Sequence, residues 1–180
     1  MTRTVRKLFF IWHFDKEEKW LNEMSANGWQ LKSVGVCTYH FEEGEPGEYI
    51  YRLELLNNHH THIKSGQYIN FIEGTGAEHI GSFARWVYFR KKAGLGGFEL
   101  YSDVRSRISH LNRILLLNGA IIPICLFNSF NMLRMWLQVS EPFSLVLSVV
   151  LLALFLLMGY GFIRLFLKRR SLKKEKVLHE

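Results

Sequence analysis

WLNEMSANGWQL, residues 20–31, and YINFIEGTGAEH, residues 68–79, lie 48 residues apart and overlay. Trp20 falls on Tyr68, Leu21 on Ile69, Met24 on Ile72 and Gly28 on Gly76. At the same offset Phe41 falls on Phe89. Both stretches carry apolar residues at helical spacing and then glycine, which supplies a helix stop. Asp15, followed three positions later by Glu18, has the spacing of a capping box at the start of the first helix.

The flanks read as strands. RKLFFIW (6–12) is an apolar run, read as a buried first strand. Residues 30–42 read as two strands with a turn near Gly35. YIYRLELL (49–56) alternates, with Tyr49, Tyr51, Leu53 and Leu55 on one side and Ile50, Arg52 and Glu54 on the other. EEGEPGE (42–48) has turn composition, so residues 38–56 are expected to form a hairpin. After the second helix, AEHIGSF and RWVYFRKK read as two more strands. Each half is therefore strand–helix–strand–strand. The fold class is α+β: tandem βαββ repeats forming an antiparallel sheet with helices on one face.

The remainder of the chain is different. Phe143 to Ile163 holds no charged residue in 21 positions, about 31 Å of helix, enough to cross a bilayer core. Ile114 to Leu133 is also uncharged, though broken by Asn118, Pro123, Asn128 and Asn131. Proline and polar residues are tolerated in membrane helices. The domain plan is a tandem βαββ domain at 1–100 and a juxtamembrane segment at 101–113, with Ser102 and Asp103 as candidate helix caps. A transmembrane helix at 114–137, a short external loop at 138–142, a second transmembrane helix at 143–167 and a basic tail at 168–180 follow.

The formal net charge of +7 divides unevenly. Residues 1–112 hold fourteen Lys/Arg against thirteen Asp/Glu, whereas residues 113–180 hold nine against three. Seven basic residues lie between Arg164 and Lys176, directly after the second apolar run. This is the pattern of membrane topology and lipid-headgroup attraction, and it argues against a nucleic-acid partner. The positive-inside rule puts both termini in the cytoplasm of a multi-pass protein of the cell membrane. The two cysteines, Cys37 and Cys125, offer no disulfide framework, which fits a reducing compartment. The N-terminus lacks the small-residue cleavage site of a signal peptide.

NNHHTHIKSG (57–66) places His59, His60 and His62 in one loop between a strand and a helix. Three ligands from one loop do not complete a tetrahedral site, and no HExxH or paired-cysteine spacing accompanies them. They read as a solvated polar loop, leaving no metal and no cofactor expected. No GxSxG, P-loop or dinucleotide fingerprint is present, so no catalytic residue is assigned and the chain is expected not to be an enzyme. The abundant aromatics are chiefly core. A groove between the repeats, with Trp12, Trp29, Tyr39, Tyr51, Trp86 and Tyr88 as its candidate lining, could also hold an apolar small molecule. In the spans, Asn128 and Asn131 share a helix face, and Ser144 and Ser148 have small-xxx-small spacing. These four form a candidate interaction face, serving either packing within the hairpin or contact with another protein.

FFIWHFDKEEKWLNEMSANGWQL, YHFEEGEPGEYIYRLEL, WVYFRK and FELYSDVRSRI together resemble the bacterial family called domain of unknown function 2812, over roughly residues 6–108. EEKWLNEMSANGW and GEYIYRLE are the most specific parts. The resemblance implies two membrane spans after the domain. It also implies a gene neighbourhood with a PadR-like transcriptional regulator, hence a regulatory or stress-linked setting. It supplies no catalytic residues. This chain has Gly76–Ala77 where the family tends to have a glycine–tryptophan pair. The leading expectation is a membrane-anchored, non-enzymatic module that binds a membrane or regulatory protein partner or senses a ligand. A pocket between the repeats is the alternative, and a metal-dependent enzyme using the histidines comes last. No oligomeric state follows from the residues.

Overall fold

The computed structural model describes residues 1–101 and 104–179, with side chains as far as residue 174. Ser102 and Asp103, the candidate caps, lie outside the described residues, as do the side chains of the last six positions. The chain forms two units, Met1–Asp103 and Val104–Glu180.

The first unit contains β1 (Thr2–Arg6), α1 (Phe14–Ala26), β2 (Trp29–Gly35), β3 (Thr38–Glu43), β4 (Tyr49–Leu55), α2 (Ile63–Glu73), β5 (Glu78–Phe83) and β6 (Trp86–Lys92). This is α+β, with the βαββ order occurring twice. The strands form two antiparallel three-stranded sheets, ordered β1-β3-β2 and β4-β6-β5. The 48-residue offset extends to details of the backbone. Register shifts fall at Leu31/Ser33 in β2 and at His79/Gly81 in β5. Gly28 (φ 80°) and Gly76 (φ 85°) lie in the turns that follow their helices, both in the left-handed region, which glycine enters without a Cβ penalty. Their N–H groups donate to Ser25 O and Glu73 O, each at 2.9 Å.

Three local expectations change. The first strand ends at Arg6, and residues 11–13 form a short 3-10 turn leading into α1. The apolar run FFIW is therefore wall and core rather than ladder, with Trp12 buried. Asp15 does not cap α1; the N-cap position is His13, without a side-chain cap bond, and Asp15 sits in the first turn. There a carboxylate still favours the positive end of the helix dipole. Residues 38–56 do not form a hairpin. β3 pairs with β1 and β2, whereas β4 pairs with β6. Alternation specifies that a strand has two faces but not which strand lies beside it.

Buried side chains gather in two clusters. Leu21, Leu31, Tyr39, Phe41, Tyr51, Leu53 and Tyr88 form one. Leu56, Ile69, Ile72, Ala77, Val87, Phe89 and Phe98 form the other. α1 is fastened to β4 by polar side chains. The Asn22 amide donates to Tyr51 O at 3.1 Å and accepts from Tyr51 N at 2.9 Å. Glu18 Oε2 accepts from Leu53 N at 3.1 Å, and Ser25 Oγ donates to Tyr49 O at 2.8 Å. Residues 18, 22 and 25 lie on one helix face, and they meet residues 53, 51 and 49 of an edge strand. The helix thus satisfies backbone groups that an edge would leave open.

In the second unit, α3 (Val104–Val139) and α4 (Pro142–His179) pack antiparallel. α3 starts well before residue 114, so residues 104–113 of the juxtamembrane segment belong to it. The helical break is Ser140–Glu141, shorter than the expected loop, and Ser140 turns with φ 58°. Buried positions on α3 include Leu111, Ile114, Leu115, Asn118, Cys125 and Ser129, one stripe at helical spacing. Large apolar side chains such as Phe127, Phe130, Val146 and Leu156 point outward. Both helices are long and apolar enough to cross a membrane.

Candidate functional site

The site begins with a charge in an unexpected place. Glu17 stands one turn before Leu21 on the inner face of α1 and is only 8% exposed. Tyr39 from β3 and Tyr88 from β6 both donate their hydroxyls to Glu17 Oε1, each at 2.7 Å. One carboxylate oxygen thereby joins a helix and strand of the first repeat to a strand of the second. Among the described residues, Oε2 has no hydrogen-bond partner, and no basic group lies within ion-pairing distance of the carboxylate.

Burial is the larger influence on this carboxyl and raises its pKa above the usual carboxylate range. The hydroxyls of Tyr88 and Tyr39 stabilise the charged form and offset part of that rise. Both phenols are in turn pushed up, first by burial and then by the neighbouring negative charge of Glu17, so they remain donors.

A cleft of about 220 Å³ opens over this triad. Lys7, Phe9, Phe10, Phe14, Cys37 and Tyr39 from the first repeat contribute to its lining, with Phe83, Trp86 and Tyr88 from the second. Phe14 and Trp86 stack across it with ring centroids 6.0 Å apart. At the rim, Lys7 Nζ lies 4.5 Å from the Trp20 ring centre and 5.0 Å from that of Phe9.

The structure gathers three of the six aromatics proposed for a pocket, namely Tyr39, Trp86 and Tyr88. Trp12 is one layer behind, stacked on Phe10 at 4.9 Å. Trp29 lies apart from the cleft, with the Arg3 guanidinium 5.6 Å from its ring centre. Tyr51 is core; its hydroxyl accepts from Leu31 N at 2.8 Å and donates to Gln30 Oε1 at 3.1 Å. Sequence reasoning missed Glu17, which resembles the other acids of DKEEK. The available signal was its position, since residues 14, 17, 21 and 24 form one stripe that is otherwise apolar.

The histidines bond within their own loop, to the start of α2 and to the β5–β6 turn. His59 Nδ1 lies 3.0 Å from Thr61 Oγ1, and His60 Nδ1 lies 2.8 Å from Ala84 O. His62 is the N-cap of α2 and accepts from Lys64 N at 3.2 Å. Among the described residues, no group of three or more His, Cys, Asp or Glu side chains is arranged to hold a metal. A second basin, lined by Lys32, Glu42, Glu78, His79, Ile80 and Arg90, is crossed by the ion pairs Lys32–Glu42 (3.0 Å) and Arg90–Glu78 (2.7 Å).

In the helical unit, Ser148 faces α3. Ser129 Oγ donates to Ser148 O and Ser148 Oγ donates to Ser129 O, both at 2.9 Å. Ser144 is buried and donates to Glu141 O at 2.6 Å. Asn128 donates to Ile124 O of its own helix at 2.8 Å. Asn131 is half-buried. Asn118 crosses to α4, donating to Met158 O at 3.2 Å. Thus Ser129 and Asn118 join Ser148 in polar contact across the hairpin, while Asn128 does not.

A tandem βαββ domain with an aromatic cleft, followed by an apolar helical hairpin, defines an α+β module with a membrane-type C-terminus. The family model described as protein of unknown function (DUF2812) matches residues 13–122, more than half of the chain. The chain belongs to that family. The match runs from the end of the 3-10 turn, through α1 to β6, into α3, and β1 precedes it. No curated protein and no solved structure matches the chain.

Proposed function

We propose that this protein is a membrane-anchored, non-enzymatic sensor whose tandem βαββ domain takes a small molecule into the cleft between its repeats. One observation carries the reading. Both repeats contribute to a concave aromatic lining that converges on a buried, hydrogen-bonded carboxylate, the composition typical of a ligand site. The non-enzymatic reading rests on the sequence, which carries no GxSxG, P-loop or dinucleotide fingerprint. The basic residues from Arg164 onward follow the second span, whereas the connecting region holds only Arg134 and Glu141; this supports termini and domain in the cytoplasm.

The test uses the full chain in lipid nanodiscs, screened by thermal unfolding against small aromatic compounds. Selected compounds should raise the unfolding temperature of the native chain and fail to do so for Trp86→Ala. A broad panel with no shift, or equal shifts in both proteins, would defeat the pocket. Protease access in inverted and right-side-out vesicles checks the orientation, with the N-terminal domain expected to be cut only in inverted ones.

A further inference from the structure

Resting on the reading of the cleft as a ligand pocket, we infer that its ligand is an apolar organic monocation, with Oε2 of Glu17 as counter-ion and the Phe14–Trp86 wall around the apolar body. Three features of the site converge on that chemistry. Glu17 is 8% exposed, and the partners of its carboxylate are two neutral hydroxyls that both use Oε1. Oε2 is left without a protein partner among the described residues, in a group that lines the cleft. A buried carboxylate without a cation is costly, and an incoming positive charge offsets that cost where neutral or anionic ligands do not. The lining is rich in aromatic rings, Phe9, Phe10, Phe14 and Trp86 among them, and aromatic rings attract organic cations.

Lys7 does not reverse the preference. Its chain is exposed at the rim, where water screens the charge, and its ammonium already rests against the faces of Trp20 and Phe9. The Glu17 charge lies deeper, in a medium of lower dielectric, and dominates the floor of the cleft. Binding of a cation favours the ionised carboxylate, so uptake of the ligand releases a proton in the pH range where Glu17 is protonated. The titratable groups facing this carboxyl are Tyr39 and Tyr88, with Lys7 and Cys37 around the cleft and His13 four residues earlier on its own helix turn. The acid-side pH dependence is assigned to Glu17 and must disappear when that residue is replaced.

The experiment is equilibrium dialysis of the full chain in zwitterionic-lipid nanodiscs, with empty nanodiscs as the blank. The probes are benzyl(2-hydroxyethyl)dimethylammonium and its neutral carbon isostere, 3,3-dimethyl-4-phenylbutan-1-ol. The native chain is expected to prefer the cation at least tenfold, and that preference should grow as pH rises through the acid range. In Glu17→Gln, which retains an oxygen for both tyrosines, the preference and its pH dependence should vanish. If Glu17→Gln does not fold, the pH profile of the native chain alone decides the matter: a preference for the cation that does not change with pH overturns the assignment. Equal binding of the two probes, or stronger binding of the alcohol, overturns the cationic ligand while leaving the cleft as a pocket. Binding of neither probe overturns both readings.

Discussion

Asn22 and Asn70 occupy the same place in two copies of one unit, 48 residues apart, yet their fates are opposite. Asn22 reaches the edge of β4 and pairs with both backbone groups of Tyr51. Asn70 is exposed on α2, and its side chain has no hydrogen bond among the described residues. The same divergence runs along the helices. Ser25, buried and bonded to Tyr49 O, corresponds to exposed Glu73, and buried Glu17 corresponds to buried Ser65. Ser65 makes only a 3.4 Å contact to Asn58 O. Tyr39, which holds Glu17, corresponds to Val87 in the second core. The backbone pattern of the repeat has stayed symmetric while its buried polar side chains have not: the first copy buries Glu17, Ser25 and Gln30, and the second buries Glu54, which accepts from the Tyr68 hydroxyl. The second copy supplies the partner surfaces: the β4 edge, Trp86 and Tyr88.

Paired substitutions at matched positions break or sharpen that comparison. Asn22→Ala should cost about 2–4 kcal/mol, because two backbone groups of β4 lose their partner. Asn70→Ala should stay within about 0.5 kcal/mol. Denaturant unfolding of the full chain, followed by tryptophan emission, measures both; equal losses would mean that the Asn22 contacts carry no weight. Next in size are the glycines in the turns that follow the helices. Each alanine variant is held in the left-handed region, at about 1–2 kcal/mol. Gly28→Ala should exceed Gly76→Ala, since a Cβ at residue 28 would lie 3.1 Å from Gly44 O and one at residue 76 only 3.9 Å from the end of the Lys91 chain. The same unfolding assay ranks the two.

Smallest is the matched pair Glu17 and Ser65. Ser65→Ala should change stability by less than about 1 kcal/mol, given its long contact. Glu17→Gln has an effect whose sign depends on pH. The folded-state pKa of Glu17 lies above its unfolded value, so its contribution to stability is fully present below the unfolded value and is lost as pH rises through the folded one. The native chain should therefore lose ground to Glu17→Gln on going from acid to neutral pH, and a flat difference would show that Glu17 titrates like an exposed acid.

Much of this architecture was legible because it rests on local chemistry. Gly28 and Gly76 mark backbone turns that few other residues accept, and Leu21 and Ile69 recur at helical spacing into buried cores. The two long apolar helices follow from an absence of charge over more residues than a small domain needs. What stayed hidden depends on distant neighbours. Glu18, Asn22 and Ser25 look like the solvated face of α1 until β4 is placed beside them, and the partner of β4 is set by packing that alternation does not encode. Of the six aromatics proposed for a pocket, three line the cleft. Tyr39, Trp86 and Tyr88 were marked by aromaticity, but Glu17 is defined by what surrounds it.

The reciprocal serine bonds in the hairpin have a mechanical consequence. Ser129 and Ser148 each donate to the other's carbonyl, and Asn118 holds Met158 O about 16 Å further along the helix axis, counting eleven residues of α3. Were the pair to cross a bilayer, as its length and apolarity allow, no water there would replace a broken bond. Sliding α3 past α4 by even one residue would sever these pins together, so the pair behaves as a single stiff rod, in which an axial push on either helix is shared by both.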